Sequence, residues 1–354
     1  MRICQIMMNK AVGGAERVFV DTSLALADRG HMVEAVVHPE FLWANKLRHD
    51  NIRLHRLPVV CRYSPLARWR LACLLAEIQP DVVHAHLRKA MSLLATTPQR
   101  LGIPLVVTLH NYGNVKRYAH ADRLIALTPA HRAYLIAHGV ENDRVDVIGN
   151  FTRLKPLLQP RSYQQPVRLF AMGRLIQKKG YHHLINAVAL CHQQGVPVAL
   201  TIAGDGPDVY ALNQQIRTCG LAEHVHLKPW VSDISKAFSE FDVFVLPSTS
   251  EPFGMVLIEA MSQRLAIVST RTEGPKDFLT EQQAWLTEPG DVQGLAEQLI
   301  KAYQAQPEQL QQKAEAGFKL YCKSFSPCSS VPRLETVYRQ AQSYSGGSPV
   351  ANLG

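Results

Sequence analysis

No run of about 18 apolar residues occurs in the 354-residue sequence, so no membrane-spanning helix is expected. The N-terminus lacks the apolar stretch of a signal peptide: one Arg, then Ile-Cys-Gln-Ile-Met-Met, then Asn9-Lys10, which reads as a first strand. There is no C-x-x-C pair. Seven cysteines (Cys4, Cys61, Cys73, Cys191, Cys219, Cys322, Cys328) are odd in number and scattered, which points away from a disulfide framework or a zinc ribbon and toward a reducing cytosol. Acidic residues are the scarcer charge, 29 against 38 Lys and Arg, and the shortage sits in the first half. Residues 1–150 hold 19 basic and 12 acidic residues, and residues 151–354 hold 19 and 17. A basic first half suits a partner that carries phosphates. Nucleic acid is not that partner by expectation, because no binding module and no clustered bases with exposed aromatics are present. Nor is any internal repeat evident.

What is present is a globular composition, 47% apolar and 19% charged, long enough for two domains. Continuous Val/Ile/Leu runs at Ile3–Met8, His31–Val37, Asp81–His84, Leu105–Leu109, Leu124–Leu127 and Val145–Ile148 read as strands covered on both faces. Amphipathic stretches at Ala15–Arg29, Leu66–Ile78, Lys89–Leu101 and Pro129–His138 read as the helices between them. Thr152–Pro166, with three prolines, three basic residues and three glutamines, reads as a linker. The alternation then restarts, with strands at Val167–Met172, Ala199–Ala203, Val225–Leu227, Val243–Leu246 and Leu265–Ser269. Helices are expected at Gly180–Gln194, Asp208–Cys219, Ile234–Ser239 and Gly254–Ser262, and the chain after Asp291 looks wholly helical. The expected domains are 1–151 and 167–328, followed by a terminal helix over 329–344 and a disordered tail over 345–354. Both domains are α/β, doubly wound and Rossmann-like, and ligands of such sheets bind beyond the carboxyl ends of the strands.

The chemistry-bearing residues fall on those strand-to-helix loops. Pro247-Ser-Thr-Ser-Glu251-Pro-Phe253-Gly254-Met255-Val256-Leu-Ile-Glu259 runs from a buried strand into a helix whose first-turn N–H groups and dipole suit a diphosphate. Glu251 stands just before that helix and Glu259 lies inside it. The pair can hold a sugar at one end and a ribose diol at the other, or Glu251 can simply cap the helix while Glu259 faces water. Gly173-Arg174-Leu-Ile-Gln-Lys178-Lys179-Gly180 follows another strand and offers a guanidinium fork and a point charge to phosphate oxygens. Lys178 and Lys179 can equally be solvated charges near a helix start. Gly13-Gly14-Ala-Glu16 opens the first helix at a turn where another molecule can approach the backbone, though it is not the G-x-G-x-x-G fingerprint.

Taken in order, Gly13-Gly14-Ala-Glu16, Val82-Val-His84-Ala-His86, Thr108-Leu-His110, Gly173-Arg174 with Lys179-Gly180, Ala203-Gly-Asp205-Gly-Pro207 and Glu251-Pro-Phe-Gly with Glu259-Ala-Met261 resemble the retaining glycosyltransferases of family 4. The likeness covers about residues 1–345. It implies the GT-B fold, with the two domains facing across a cleft, and transfer of a sugar from a nucleotide diphosphate sugar to a glycan or glycolipid acceptor. It places the donor on Gly14, Arg174, Lys179, Glu251, Phe253, Gly254, Met255, Val256 and Glu259, and the acceptor near Gly13, Glu16 and His86. Arg174 and Lys179 would take the diphosphate, Glu259 the ribose, Glu251 the sugar hydroxyls, and His110 would position the reacting sugar. His110, Arg174, Lys179 and Glu251 are thus the expected catalytic set. The likeness implies no metal and no cofactor beyond the donor as co-substrate, and the sequence contains no Asp-x-Asp.

Several positions depart from the family pattern. Arg264 and Ala266 stand where Gly and Pro are usual, Asn150 is followed by Phe-Thr, and Lys228-Pro-Trp230 replaces a loop that usually has a Gly. These leave the donor base open. His84 and His86 share a strand face without a third ligand near in sequence, so a cleft-lining pair is expected rather than zinc. Residues 46–70 carry Lys46, Arg48, Arg53, Arg56, Arg62, Arg68, Trp69 and Arg70. That composition suits peripheral contact with an anionic membrane at the inner face, and it equally suits an amphipathic helix packed on its sheet. The readings set aside are a GT-B epimerase or phosphorylase-like enzyme, a basic nucleic-acid binder and an inactive scaffold.

Overall fold

The computed structural model describes residues 1–11, 13–59, 61, 64–163 and 165–345. They form two units, Met1–Arg153 with the chain from Ser326 onward, and Leu154–Phe325. The first unit contains β1 (Arg2–Met7), α1 (Gly14–Asp28), β2 (Met32–Val37), β3 (Ile52–Arg56), α2 (Pro65–Ile78), β4 (Val82–His86) and α3 (Leu87–Leu94). It continues with α4 (Thr97–Arg100), β5 (Leu105–Thr108), β6 (Arg123–Ala126), α5 (Pro129–Ala137) and β7 (Val145–Val147). The second contains β8 (Arg168–Met172), α6 (Tyr181–Gln193), β9 (Ala199–Ala203), α7 (Val209–Thr218), β10 (Val225–Lys228), α8 (Ile234–Ser239) and β11 (Val243–Leu246). It ends with α9 (Met255–Ser262), β12 (Ala266–Thr270), β13 (Ala284–Thr287), α10 (Val292–Gln304) and α11 (Pro307–Ser324), after which α12 (Pro327–Ser345) returns to the first unit.

Both sheets are parallel and doubly wound. The first runs β3-β2-β1-β4-β5-β6-β7 and the second β10-β9-β8-β11-β12-β13. In each, the chain starts at an interior strand, winds outward one way, then returns and winds the other. Helices therefore leave β1 and β4, or β8 and β11, toward opposite faces, and the loops between them part at the carboxyl end. The β1/β4 pairing brings Met7 opposite His86. The β8/β11 pairing sets Leu169 against Val243 and Phe170 against Phe244.

Local chemistry explains the helix starts. Ser64 accepts from the Ala67 N–H ahead of Pro65, Thr128 from the His131 N–H ahead of Pro129, and Asp291 from the Gly294 N–H. α12 buries Val331, Leu334, Val337, Tyr338 and Ala341 against Ile3, Val82, Val106 and Ile125 of the first sheet. At about 1.5–3 kcal/mol for each large apolar side chain, that burial holds the end of the chain on the unit where the chain began. Glu335 fixes its register by bonding Arg29 at 2.6 Å and His31 at 2.8 Å.

The stretch read as a linker is packed rather than free. Phe151 and Thr152 are buried in the first unit. From Leu154 the chain lies on the second, where the Arg161 guanidinium donates to the carbonyls of Phe238, Phe241 and Gln263, and the Tyr163 hydroxyl donates to Arg264 O at 2.8 Å. The helix expected over Lys89–Leu101 is two helices. Ala95 turns into φ +45, and Pro98 lacks the N–H that would bond back to Leu94. β3 and β13 were not expected as strands. β3 is an edge strand of partly exposed Ile, Arg, Leu and His, and β13 is only four residues long. The tail expected over 345–354 lies outside the described residues from 346 on.

Arg264 shows why Gly is usual at its position. It adopts φ +55, the left-handed region glycine favours. Its side chain supports that conformation by donating to Leu157 O at 2.7 Å and Leu158 O at 3.1 Å, by pairing with Glu315, and by lying 3.7 Å over the Phe318 ring.

Candidate functional site

In the second unit, the loops leaving β8 and β11 are locked together. Gly180 sits at φ +69 with its α-carbon so near the Pro247 carbonyl that any side chain would collide with it. Thr249 N–H donates to Lys178 O at 2.9 Å. This contact carries Lys179, at the end of one loop, to Glu251 in the middle of the other, and the two form a half-buried ion pair. Glu251 is held from behind, because its N–H donates to Glu273 at 2.9 Å, Ser250 donates to the same carboxylate at 3.2 Å, and the Gly274 N–H donates to Glu251 O at 2.9 Å.

Arg174 shares the β8 loop but is exposed, and its guanidinium makes no ion pair or hydrogen bond with a described residue. α9 begins at Gly254, whose φ of +93 again needs glycine, and no side chain caps it. The N–H groups of Met255 and Val256 have no hydrogen-bond partner among the described residues, so the positive end of the helix is open to an anion. Phe253 was expected among the donor residues. It is buried against Phe278 and Phe325 at centroid distances of 5.5 and 5.6 Å, and so anchors the loop. Glu259 is buried within α9, which removes the alternative of a solvated carboxylate.

The first unit carries a different arrangement at its β1/β4 switch point. Gln5, His84, His86 and Tyr338 are buried at 1% exposure or less and share one hydrogen-bond network. Gln5 Nε2 reaches Tyr338 Oη at 3.0 Å and His84 Nδ1 at 3.1 Å, and Gln5 Oε1 meets His86 Nε2 at 2.8 Å. His84 Nε2 contacts Thr108 Oγ1 at 2.8 Å, and His86 Nδ1 contacts His110 Nε2 at 3.2 Å. With the Gln5 amide placed this way, His86 donates from Nε2 and accepts on Nδ1, which makes His110 the donor from its Nε2. Burial holds all three imidazoles neutral, pushing His84 and His110 down to about 3 and His86 well below its usual range. Both nitrogens of His84 and of His86 are engaged, and among the described residues no group of three His, Cys, Asp or Glu side chains is placed to hold a metal ion.

Gly13 caps α1 in an extended conformation, with Gly14 exposed beside it. Glu16 is buried and accepts from Asn9 Nδ2 at 2.8 Å, so it braces the loop after β1. Three contributors were missed from sequence. Glu273 follows β12 in Thr-Glu-Gly-Pro, a strand-end loop of the same kind as the others. Gln5 is a lone amide inside an apolar strand run, a signal of a buried polar partner. Tyr338, 333 residues from Gln5, gave no such signal.

The family profile "Glycosyl transferases group 1" matches residues 159–319, and "Glycosyl transferase 4-like domain" matches residues 13–150. The lipopolysaccharide core biosynthesis glycosyltransferase LpsD of Rhizobium meliloti (strain 1021) is 30% identical over 294 residues, covering 80% of this chain and 83% of its own. LpsE of the same strain is 29% identical over 301 residues, covering 80% and 84%. The crystal structure of Anabaena Alr3699/HepE in complex with UDP and glucose superposes with a TM-score of 0.79 at 20% identity, over 96% of this chain and 100% of that one.

Proposed function

The chain belongs to the group 1 glycosyltransferases and has their GT-B fold, and from that premise we propose that it transfers a sugar from a nucleotide diphosphate sugar, with retention and without a metal, to a glycan or glycolipid of the cell envelope. The supporting observation is the second unit's switch point, where the unpaired Arg174, the Lys179–Glu251 pair and the uncapped α9 converge on the loops of two adjacent strands. Arg174 and the Met255 and Val256 N–H groups take the diphosphate. Lys179 neutralises the charge that develops as it leaves, an electrostatic role of the kind a metal fills elsewhere. Glu251 takes sugar hydroxyls, and Lys179 holds its carboxylate in place. Glu259 takes the ribose diol. In the first unit we assign His110 to positioning the sugar, because a neutral imidazole with one nitrogen engaged can offer the other to a hydroxyl. Gly13, Gly14 and His86 shape the same loops. The acceptor assignment follows LpsD and LpsE, both named for lipopolysaccharide core biosynthesis.

Peripheral membrane contact is a further part of this reading. α2 packs Ala67, Leu71 and Leu75 inward and leaves Leu66 and Trp69 54% and 63% exposed beside Arg70. Arg62 of the same stretch lies outside the described residues. No helix among the described residues is long and apolar enough to cross a membrane.

A thermal-shift screen against UDP, GDP, ADP and dTDP, each with EDTA, tests the donor site, since a ligand of the native state raises Tm by mass action. One nucleotide should stabilise the chain without metal, UDP being the first to try, and Glu259→Ala should abolish the shift. If neither nucleotides nor whole nucleotide sugars stabilise the chain, the site assignment falls.

A further inference from the structure

Where β4 and β5 end in the first unit, a cavity of about 630 Å³ opens beside His110. Its charged lining has one sign. Arg88, Lys89 and Arg117 reach it, and no Asp or Glu of the described residues does. Some cations of this unit are matched, as in Lys10–Glu40, Arg17–Asp21, Arg29–Glu335 and Arg123–Asp146, and Arg88, Lys89 and Arg117 are among those that are not. These three make no ion pair with a described residue. Two of them also stand where cations are disfavoured. Arg88 and Lys89 occupy the first turn of α3, at the positive end of its dipole, and no acidic residue shares that turn. Leu87, just before them, is held at φ +66, a costly conformation for a branched side chain. Arg88 follows β4 and Arg117 follows β5, and both line the cavity with Tyr118.

We propose that this cavity receives the acceptor through an anionic group, a phosphate or carboxylate carried on the acceptor sugar. Arg88 and Arg117 supply planar forks for its oxygens and Lys89 a point charge, while Asn111 and Tyr112 of the same wall are placed for neutral hydroxyls. Three cations and no carboxylate on one lining favour an anionic group over an uncharged sugar. The inference rests on the reading that the first unit takes the acceptor.

The test is calorimetric titration of the full chain with glucose, glucose 6-phosphate and glucuronate, with UDP present to occupy the donor site. One or both charged sugars should bind about tenfold or more tighter than glucose, as a charge-assisted pair provides. The preference should shrink as salt is raised to screen the cations. It should vanish in Arg88→Ala/Arg117→Ala and persist in Arg88→Lys/Arg117→Lys, with Tm confirming that both variants fold. Which charged sugar responds identifies the group. Equal binding of all three sugars, or a preference that survives the double alanine variant, overturns the proposal. So does vesicle sedimentation on phosphatidylglycerol that the double alanine variant abolishes while no sugar preference is seen. The UDP-induced Tm shift is read separately, so failure of the donor reading is distinguishable from failure of this one.

Discussion

At the β1/β4 switch point the buried polar groups are neutral and interlocked, three imidazoles and an amide with a phenol from α12, whereas at β8/β11 they are charged and reach the surface. The two sheets share strand direction, winding and depth of burial. What separates them is which side chains the same two loops carry. A neutral network suits the ordering of hydroxyls, because it adds no field that would favour an anion. The cations nearest that network, Arg88, Lys89 and Arg117, line the cavity beside His110 without an ion pair to a described residue. In the second unit the cations stand on the switch-point loops, where a leaving diphosphate would form. Winding thus places a site, and the loop residues decide its chemistry.

Acid should break this comparison most visibly. Burial holds His84 and His110 at about 3 and His131 at about 4, below the ordinary imidazole value near 6.5, and His86 lies lower still. A depressed histidine contributes stability above its unfolded value and loses it as pH falls, because only the unfolded chain takes the proton. Each such group costs up to about 1.4 kcal/mol per pH unit below 6.5. Hydrogen exchange read peptide by peptide should show β4 and β5 losing protection from pH 6.5 to 5 while β8 and β11 hold. Equal loss in both sheets would mean that the imidazoles are not the neutral core of the first unit.

Lys179→Ala comes next. Removing the cation that meets the leaving charge should lower turnover by ~10²-fold or more, and it also frees Glu251 to move. The check is steady-state kinetics with the stabilising nucleotide sugar. Unchanged kcat would limit Lys179 to a structural pair.

How far these contrasts could be read from sequence depends on distance along the chain. Buried parallel strands are legible because Val82–Val83 or Val243–Leu246 must be apolar on both faces, and loop glycines such as Gly180 and Gly254 follow directly. Arg174, Lys179 and Glu251 were found as loop residues. Their pairing was not, since Lys179 and Glu251 are 72 positions apart and meet only because β8 and β11 are neighbours in the sheet. β3 escaped because an edge strand needs one covered face, and Arg53 and Arg56 interrupt its apolar run. Arg88, Lys89 and Arg117 were not singled out, because only α3 and the Asn111–Tyr118 loop set them around one cavity.

Tyr338→Phe tests the first unit's network alone. The ring still fills its place, but Gln5 Nε2 and His84 Nδ1 lose a partner at 3.0 and 2.8 Å. Gln5 Nε2 and His84 Nδ1 still bond each other at 3.1 Å, so one Gln5 amide hydrogen alone is orphaned, at a cost of about 1–3 kcal/mol. Urea unfolding should show that loss, and the nucleotide-induced Tm shift should remain, because nothing in the β8/β11 loops has changed. Loss of the shift would tie nucleotide binding to the first unit's network.

The smallest effect asks whether the two units really are equivalent beneath their sites. Thr128 and Asp291 each begin a helix by accepting one first-turn N–H, at 3.1 and 2.8 Å, one in each unit and neither on a switch-point loop. Asp291→Ala should cost about 1 kcal/mol, since its orphaned N–H returns to water, and Thr128→Ala about 1–2 kcal/mol, since the His131 N–H it orphans is buried. Chemical denaturation gives the cost, and local hydrogen exchange gives its location. Similar losses confined to α5 and α10, with sugar and nucleotide binding intact, would mean that the scaffolds obey the same local rules and differ in function only through their loops. A loss in one variant that reached the binding loops would show that the scaffold of that unit is itself part of its site.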